Sequence, residues 1–109
     1  MNAPKHLSPD ARKWFLAIAR EYGITDSGGV ALLTAAAESR QRAREAWDVI
    51  EVEGAIVRGA NGIPVPHPAV RMERDARAQM LTALKQLHLD VEPLKPIGRP
   101  AQPLGLTEL

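Results

Sequence analysis

The chain contains no cysteine, which excludes disulfides and thiolate metal sites and suits a reducing compartment. Aromatic residues are scarce: two tryptophans, one tyrosine and one phenylalanine make up 4% of 109 residues. Much of the 45% hydrophobic content is alanine instead, and alanine-rich helices bury less area per residue than leucine-rich ones. The core is therefore expected to be thin, with oligomerisation as an added source of stability. No apolar run approaches the roughly 18 residues that span a bilayer, and the first residues lack the apolar stretch of a signal peptide. A soluble, cytoplasmic protein with no membrane partner is expected. Neither sign of charge dominates: 14 Lys and Arg face 13 Asp and Glu, for a net charge of +1 and a pI near 8.2. Bulk charge thus neither demands nor forbids a nucleic-acid partner, and DNA binding would need a local basic patch.

Catalytic patterns are also absent. Gly59-Ala60-Asn61-Gly62 lacks the lysine, the preceding strand and the following helix of a phosphate loop. His6, His67 and His88 fall at an arm, a helix start and a helix end, with no shared metal-ligand spacing. Carboxylate pairs such as Glu51 with Glu53, or Glu73 with Asp75, stand two apart on a helix and face different ways. No cofactor, metal or catalytic group is expected, and the chain reads as non-enzymatic.

What is present is helix. After a short arm carrying Lys5 and His6, Ser8-Pro9-Asp10 supplies an N-cap, a proline at the first helical position and an acid in the first turn. From Pro9 to Tyr22, Ala11, Trp14, Phe15, Ile18 and Tyr22 form one apolar stripe, and Gly23 ends it. Thr25 or Asp26 caps a second helix, with Ile24 placed to staple onto Val30. Gly28-Gly29 weakens its first turn, and no breaker follows until Glu53. The spacing predicts a spine of more than 25 residues, roughly 40 Å long. Its apolar stripe is Val30, Leu33, Ala36, Ala37, Ala43, Trp47 and Ile50. Such a length exceeds what a small domain covers alone, so the spine is read as packing against neighbouring subunits as well.

The stretch 54–67, GAIVRGANGIPVPH, interrupts the helices. Ile56-Val57 and Ile63 to Val65 flank Asn61-Gly62, a hairpin signal suited to a two-residue type I′ turn. Pro64 and Pro66 restrict it to a short edge hairpin or an extended loop. His67-Pro68 then opens a third helix to about His88, with Ala69, Met72, Ala76, Met80, Leu84 and Leu87 as its stripe. From Asp90 on, Pro93, Pro96, Pro100 and Pro103 predict an extended tail ending in the docking-peptide-like segment around Leu104 and Leu106. The expected fold is mainly α: three helices with a long central one, a short β-hairpin between the second and third, and a Pro-rich tail. Residues 1–89 form the domain and 90–109 the tail.

The basic residues Lys5, Arg12, Lys13 and Arg20 in the first block and Arg40, Arg42 and Arg44 on the spine are the candidate binding group. Arginine forks match phosphate geometry. The competing reading is pairing within the spine, as between Glu38 and Arg42. Arg40 and Arg44 lie on or beside the apolar stripe, where a long charged side chain needs a partner such as a neighbouring subunit's carboxylate, and that partner could equally be structural.

The order of these signals resembles the small subunit of phage terminases, in the P27-like group. The matching motifs are Leu7-Ser8-Pro9-Asp10-Ala11 with Trp14, the restart Ile24-Thr25-Asp26, the helix end Glu53-Gly54, the pair Ile56-Val57, the turn Asn61-Gly62 and the opening Pro68-Ala69. The resemblance covers roughly Leu7 to Leu89; the group's Gly-Leu-Thr-Pro-Ser-like segment is replaced here by 87–93, LHLDVEP. It implies a non-enzymatic, ring-forming component of a viral packaging motor that recognises packaging-site DNA and regulates the large ATPase/nuclease subunit. In that picture Lys5, Arg12, Lys13, Arg20, Arg40, Arg42 and Arg44 contact DNA phosphates. Leu33, Trp47, Ile50, Ile56 and Val57 build the subunit interface, and Leu104 and Leu106 dock on the large subunit, all in the host cytoplasm. Two other classes stay open. One is a regulator using Gly23 to Asp26 as the turn of a helix-turn-helix; the other is a structural oligomeric adaptor without DNA affinity.

Overall fold

Ser8 begins the first helix, α1 (Pro9–Tyr22), by accepting a hydrogen bond from the Ala11 amide at 3.2 Å. The computed structural model describes residues 1–89, so the expected tail with Leu104 and Leu106 lies outside the described residues. Gly23 ends α1 in the left-handed region, φ 65°, and the Ile24 amide reaches back to the Ala19 carbonyl at 2.9 Å. Asp26 caps the second helix, α2 (Ser27–Glu53), accepting from the Gly29 amide at 2.8 Å. Its 27 residues make a rod of about 40 Å at roughly 1.5 Å per residue. At Gly29 a Cβ would stand 2.8 Å from the Asp26 carboxylate and 2.9 Å from the Ile24 methyl. The cap and the buried Ile24 therefore require glycine there.

The elbow follows Gly54, φ 88°. Strand β1 (Ile56–Arg58) pairs antiparallel with β2 (Pro64–Pro66), in the register Ile56 to Pro66, Val57 to Val65 and Arg58 to Pro64. The turn is longer than the two-residue type expected. The Gly59 amide donates to the Ile63 carbonyl at 2.8 Å, the Gly62 amide to the Gly59 carbonyl at 2.9 Å, and Gly62 alone takes positive φ. This is the three-residue hairpin loop that needs one left-handed glycine, so Asn61 keeps an ordinary φ. His67 closes the elbow by donating its amide to the Ala55 carbonyl at 2.7 Å, and its Nδ1 caps the third helix, α3 (Pro68–Gln86), through the Ala69 amide at 2.9 Å.

α2 and α3 pack as an antiparallel hairpin of helices. Along α3 the seam is Ala69, Ala76 and Ala83, buried, alternating with half-buried Glu73, Met80 and, at the helix C-cap, Leu87. On α2 it is Ala36, Ser39 and Ala46 with half-buried Ala43 and Ile50. Both runs step by three and four residues, the heptad pattern of an antiparallel coiled coil. Two expected stripe members fall outside it: Trp47 is 48% exposed and Met72 64%.

The larger buried side chains gather at the other end. Leu7, Ala11, Phe15, Ala19 and Ile24 enclose Leu33 and Ala37 of α2. After α3, His88 takes the left-handed conformation, φ 60°, and the Leu89 amide returns to the Leu84 carbonyl at 3.1 Å. That turn folds Leu87 and Leu89 onto the α1 core.

The two adjacent glycines of α2 respond oppositely to alanine. Gly29→Ala drives a methyl into the cap and is expected to cost about 1–3 kcal/mol. Gly28→Ala meets only an ordinary 3.6 Å contact and is expected to add about 0.4–1 kcal/mol by restricting the unfolded chain. Urea denaturation of both variants checks the pair; equal effects would refute the packing account.

Candidate assembly and nucleic-acid surfaces

Arg40 finds a carboxylate partner within its own chain. Its guanidinium donates to Asp10 of α1 at 2.6 Å and lies over the Trp14 ring, 5.5 Å from the centroid. The Arg40 hydrogen bond and then its charge hold the Asp10 carboxyl below the usual carboxylate range against the opposing effect of burial, and Arg44 and Lys13 add lesser lowering. Two further ties flank this one. His6 Nε2 meets Glu38 at 2.7 Å, and the Ser8 amide donates to the Gln41 side chain at 2.9 Å. Glu38 is thus engaged by the arm, and no Glu38–Arg42 ion pair forms.

Two grooves run along opposite flanks of the α2/α3 seam. The first, about 380 Å³, is lined by Trp14, Arg40, Arg44 and Trp47 from the α1/α2 side and by Glu73, Arg77, Met80 and Leu84 from α3. Arg77 pairs with Glu73 one turn before it, at 3.4 Å. The second, about 690 Å³, is lined by Arg42, Glu45 and Val49 on α2 and by Met72, Asp75 and Gln79 on α3, with His67 and Pro68 at its end. Asp75 lies 3.7 Å from its neighbour Arg74. Three arginines face one glutamate in the first groove; two carboxylates face one arginine in the second.

No group of three His, Cys, Asp or Glu side chains among the described residues could hold a metal ion. His67 uses both ring nitrogens structurally: Nδ1 accepts from the Ala69 amide, so Nε2 carries the proton toward Glu53 at 2.8 Å.

Residues 10–95 match the family model described as "Phage terminase, small subunit". The chain belongs to the phage terminase small-subunit family. Searches of curated proteins and of solved structures gave no match. Family membership gives the subunit a role in phage packaging. No helix among its described residues is long and apolar enough to cross a membrane.

The fold divides the subunit's basic residues. Arg40 and Arg44 share the first groove, with Lys13 close enough to act on the same Asp10 carboxylate. Arg42 points to the opposite flank. Lys5 and Arg20 are exposed at the arm and the last turn of α1, and Arg12 is half-buried. Arg77 completes the first groove and was missed in the sequence reading, although its spacing of four from Glu73 marked a surface pair. Among the expected interface residues, Trp47 and Ile56 are exposed while Ile50 and Val57 are half-buried. Leu33 is 0% exposed inside the protomer's own core, which removes it from any contact with a second chain.

The Asp10–Arg40 tie has a pH signature. Asp10 titrates lower in the folded state than in the unfolded chain, so its contribution to stability is present above the ordinary carboxylate range. That contribution fades as pH falls through the lowered value. NMR titration is expected to place Asp10 below the usual carboxylate range, and Arg40→Gln to return it toward the ordinary value. A midpoint unmoved by Arg40→Gln would show that the contact does not form in solution.

Proposed function

We propose that the chain is the non-catalytic, DNA-recognising and regulatory subunit of a phage packaging motor, assembling as a ring and working with the large ATPase/nuclease subunit in the host cytoplasm. The observation that carries this reading is the family match over residues 10–95. The structure supports it in two respects. The long α2/α3 hairpin carries exposed apolar side chains, Trp47, Val49 and Met72, on both of its flanks, as a building block that packs against copies of itself does. The arm and α1 present Lys5, Lys13 and Arg20 to solvent, with Arg12 half-buried beside them.

In this reading the α1 block carries the DNA-facing charge, and Arg40 holds that block on the spine. Arg42 and Arg44 add positive charge on either flank of the hairpin. Contacts of this kind go to phosphates and confer position, not sequence. A base-reading helix-turn-helix is disfavoured because the first turn of α2 offers only Ser27, Gly28 and Gly29. Leu104 and Leu106 remain the proposed dock for the large subunit.

Fluorescence anisotropy with a labelled duplex, across a salt series, tests the DNA reading. With Lys5, Arg12, Lys13 and Arg20 engaged, the slope of log K against log salt is expected near −3 to −4 per subunit, at roughly −0.9 per neutralised phosphate. Replacing Lys13 and Arg20 with glutamine is expected to flatten it by about 2. Salt-independent binding, or none at about 50 mM salt, favours the DNA-free adaptor instead.

A further inference from the structure

The ribbon at the elbow has two edges of unlike chemistry. The Gly59 amide donates to the Ile63 carbonyl, and the His67 amide to the Ala55 carbonyl. Val57 stands opposite Val65 midway between these bonds, so antiparallel alternation makes them the pair that exchanges hydrogen bonds. The backbone groups of Ile56 and Arg58 on β1, and of Pro64 and Pro66 on β2, therefore point away from the ribbon. Both outward positions of β2 are proline, so that edge offers carbonyls and no donor. The edge of β1 has no such guard. Ile56 and Arg58 present two N–H and two C=O groups there, and both residues are exposed.

We propose that this free edge of β1 takes up an extended strand of a partner protein, with a carboxylate opposite Arg58 and an apolar side chain opposite Ile56. Strand addition draws affinity from the backbone ladder and specificity from alternate side chains. A two-stranded ribbon is marginal by itself, and a third strand stabilises it.

The surroundings of the edge define its occupant. Every residue from 60 to 66 is exposed, so the ribbon stands clear of the helices. Ile56, 62% exposed, shares one face of β1 with Arg58, which sets an apolar and a cationic position two residues apart. Arg58 donates to the Gly62 carbonyl at 2.8 Å, a neutral acceptor. It belongs to none of the ion pairs among the described residues, so its charge is unanswered. A second copy cannot answer it. Residues 54–60, GAIVRGA, contain no carboxylate, so no register of β1 against β1 sets an acid opposite Arg58.

NMR on the full chain with the blocked peptide Thr-Val-Thr-Glu-Thr-Val-Thr tests the edge. A valine lies two residues to either side of the glutamate, so both strand directions meet the pattern. The peptide is expected to slow exchange of the Ile56 and Arg58 amides and to shift resonances of the ribbon alone. Ile56→Pro copies the guard of β2 and is expected to weaken binding about tenfold by removing a ladder donor. That amide has no partner within the chain, so the wild-type melt is expected to persist. Should Ile56→Pro melt early, Arg58→Glu carries the test. It is expected to weaken binding about threefold or more, and a peptide with lysine in place of glutamate to restore it. No detectable binding overturns the proposal, as does binding that neither variant alters. Ile56 and Arg58 amides already protected in the free protein overturn it as well. Protection that rises with concentration assigns the edge to a second copy, and protection that does not assigns it to residues 90–109.

Discussion

Alanine at the α2/α3 seam sets the terms for the rest of the structure. Ala69, Ala76 and Ala83 on one helix face Ala36, Ala43 and Ala46 on the other. Such small side chains let two helices approach toward the short end of the roughly 8–10 Å range of interaxial distances. Each buried methyl contributes about 0.8 kcal/mol, against about 1.5–3 kcal/mol for a leucine-sized side chain. The larger seam residues, Ile50 and Met80, are only half-buried. Trp47, Val49, Met72 and Leu81 are displaced to the flanks, where they stay exposed. The same constraint that makes the hairpin slender therefore puts its apolar area where another surface can cover it.

The two ends of the hairpin are secured by different physics. At the α1 end the work is hydrophobic, with Phe15 and Leu33 enclosed completely and Leu87 and Leu89 folded in by the left-handed turn at His88. Around that core the ties His6–Glu38, Ser8–Gln41 and Asp10–Arg40 set the register of α1 on the spine. At the elbow the apolar side chains Ile56, Ile63 and Val65 are exposed, and backbone and imidazole hydrogen bonds hold the chain. A two-stranded ribbon is marginal by itself, so its position depends on Gly54 and His67, where it joins the helices.

What was legible in the sequence was local. Ser8, Gly23, Asp26, Gly54 and His67-Pro68 each act within a few residues of where they stand, and the helix bounds follow from them. The seam was harder to read. An apolar stripe wide enough to include Trp47 and Met72 does not separate the line of contact from its flanks; it named Ala69 and Ala76 but passed over Ala83 on the third helix and Ser39 and Ala46 on the second. The Asn61-Gly62 pair signalled a turn but not its length, because the hydrogen bond from Gly59 to Ile63 lengthens the loop. Least legible was the partner of Arg40, thirty residues away on another helix. Charge pattern along one helix predicts only neighbours three and four apart, and this contact exists because the shared core lays α1 back along the α2 that follows it.

That contact also joins the two candidate surfaces. Trp14 belongs to the basic α1 block and forms one wall of the first groove, and Arg40 lines the same groove while holding Asp10. The seat of α1 on the spine and the shape of the groove are consequently one variable, not two. A phosphate that drew Arg40 away from Asp10 would release the carboxylate from its strongest partner, and Arg44 and Lys13 would be left to compensate for it. Any occupant of the groove that displaced Trp14 would in turn uncover the cation that holds α1. Linkage makes such coupling reciprocal: whatever favours one arrangement of the Asp10–Arg40–Trp14 joint at the α1 surface favours it equally at the groove. In a chain whose seam is built largely from alanine, that half-buried joint ties the surface that carries the basic charge to the groove beside it.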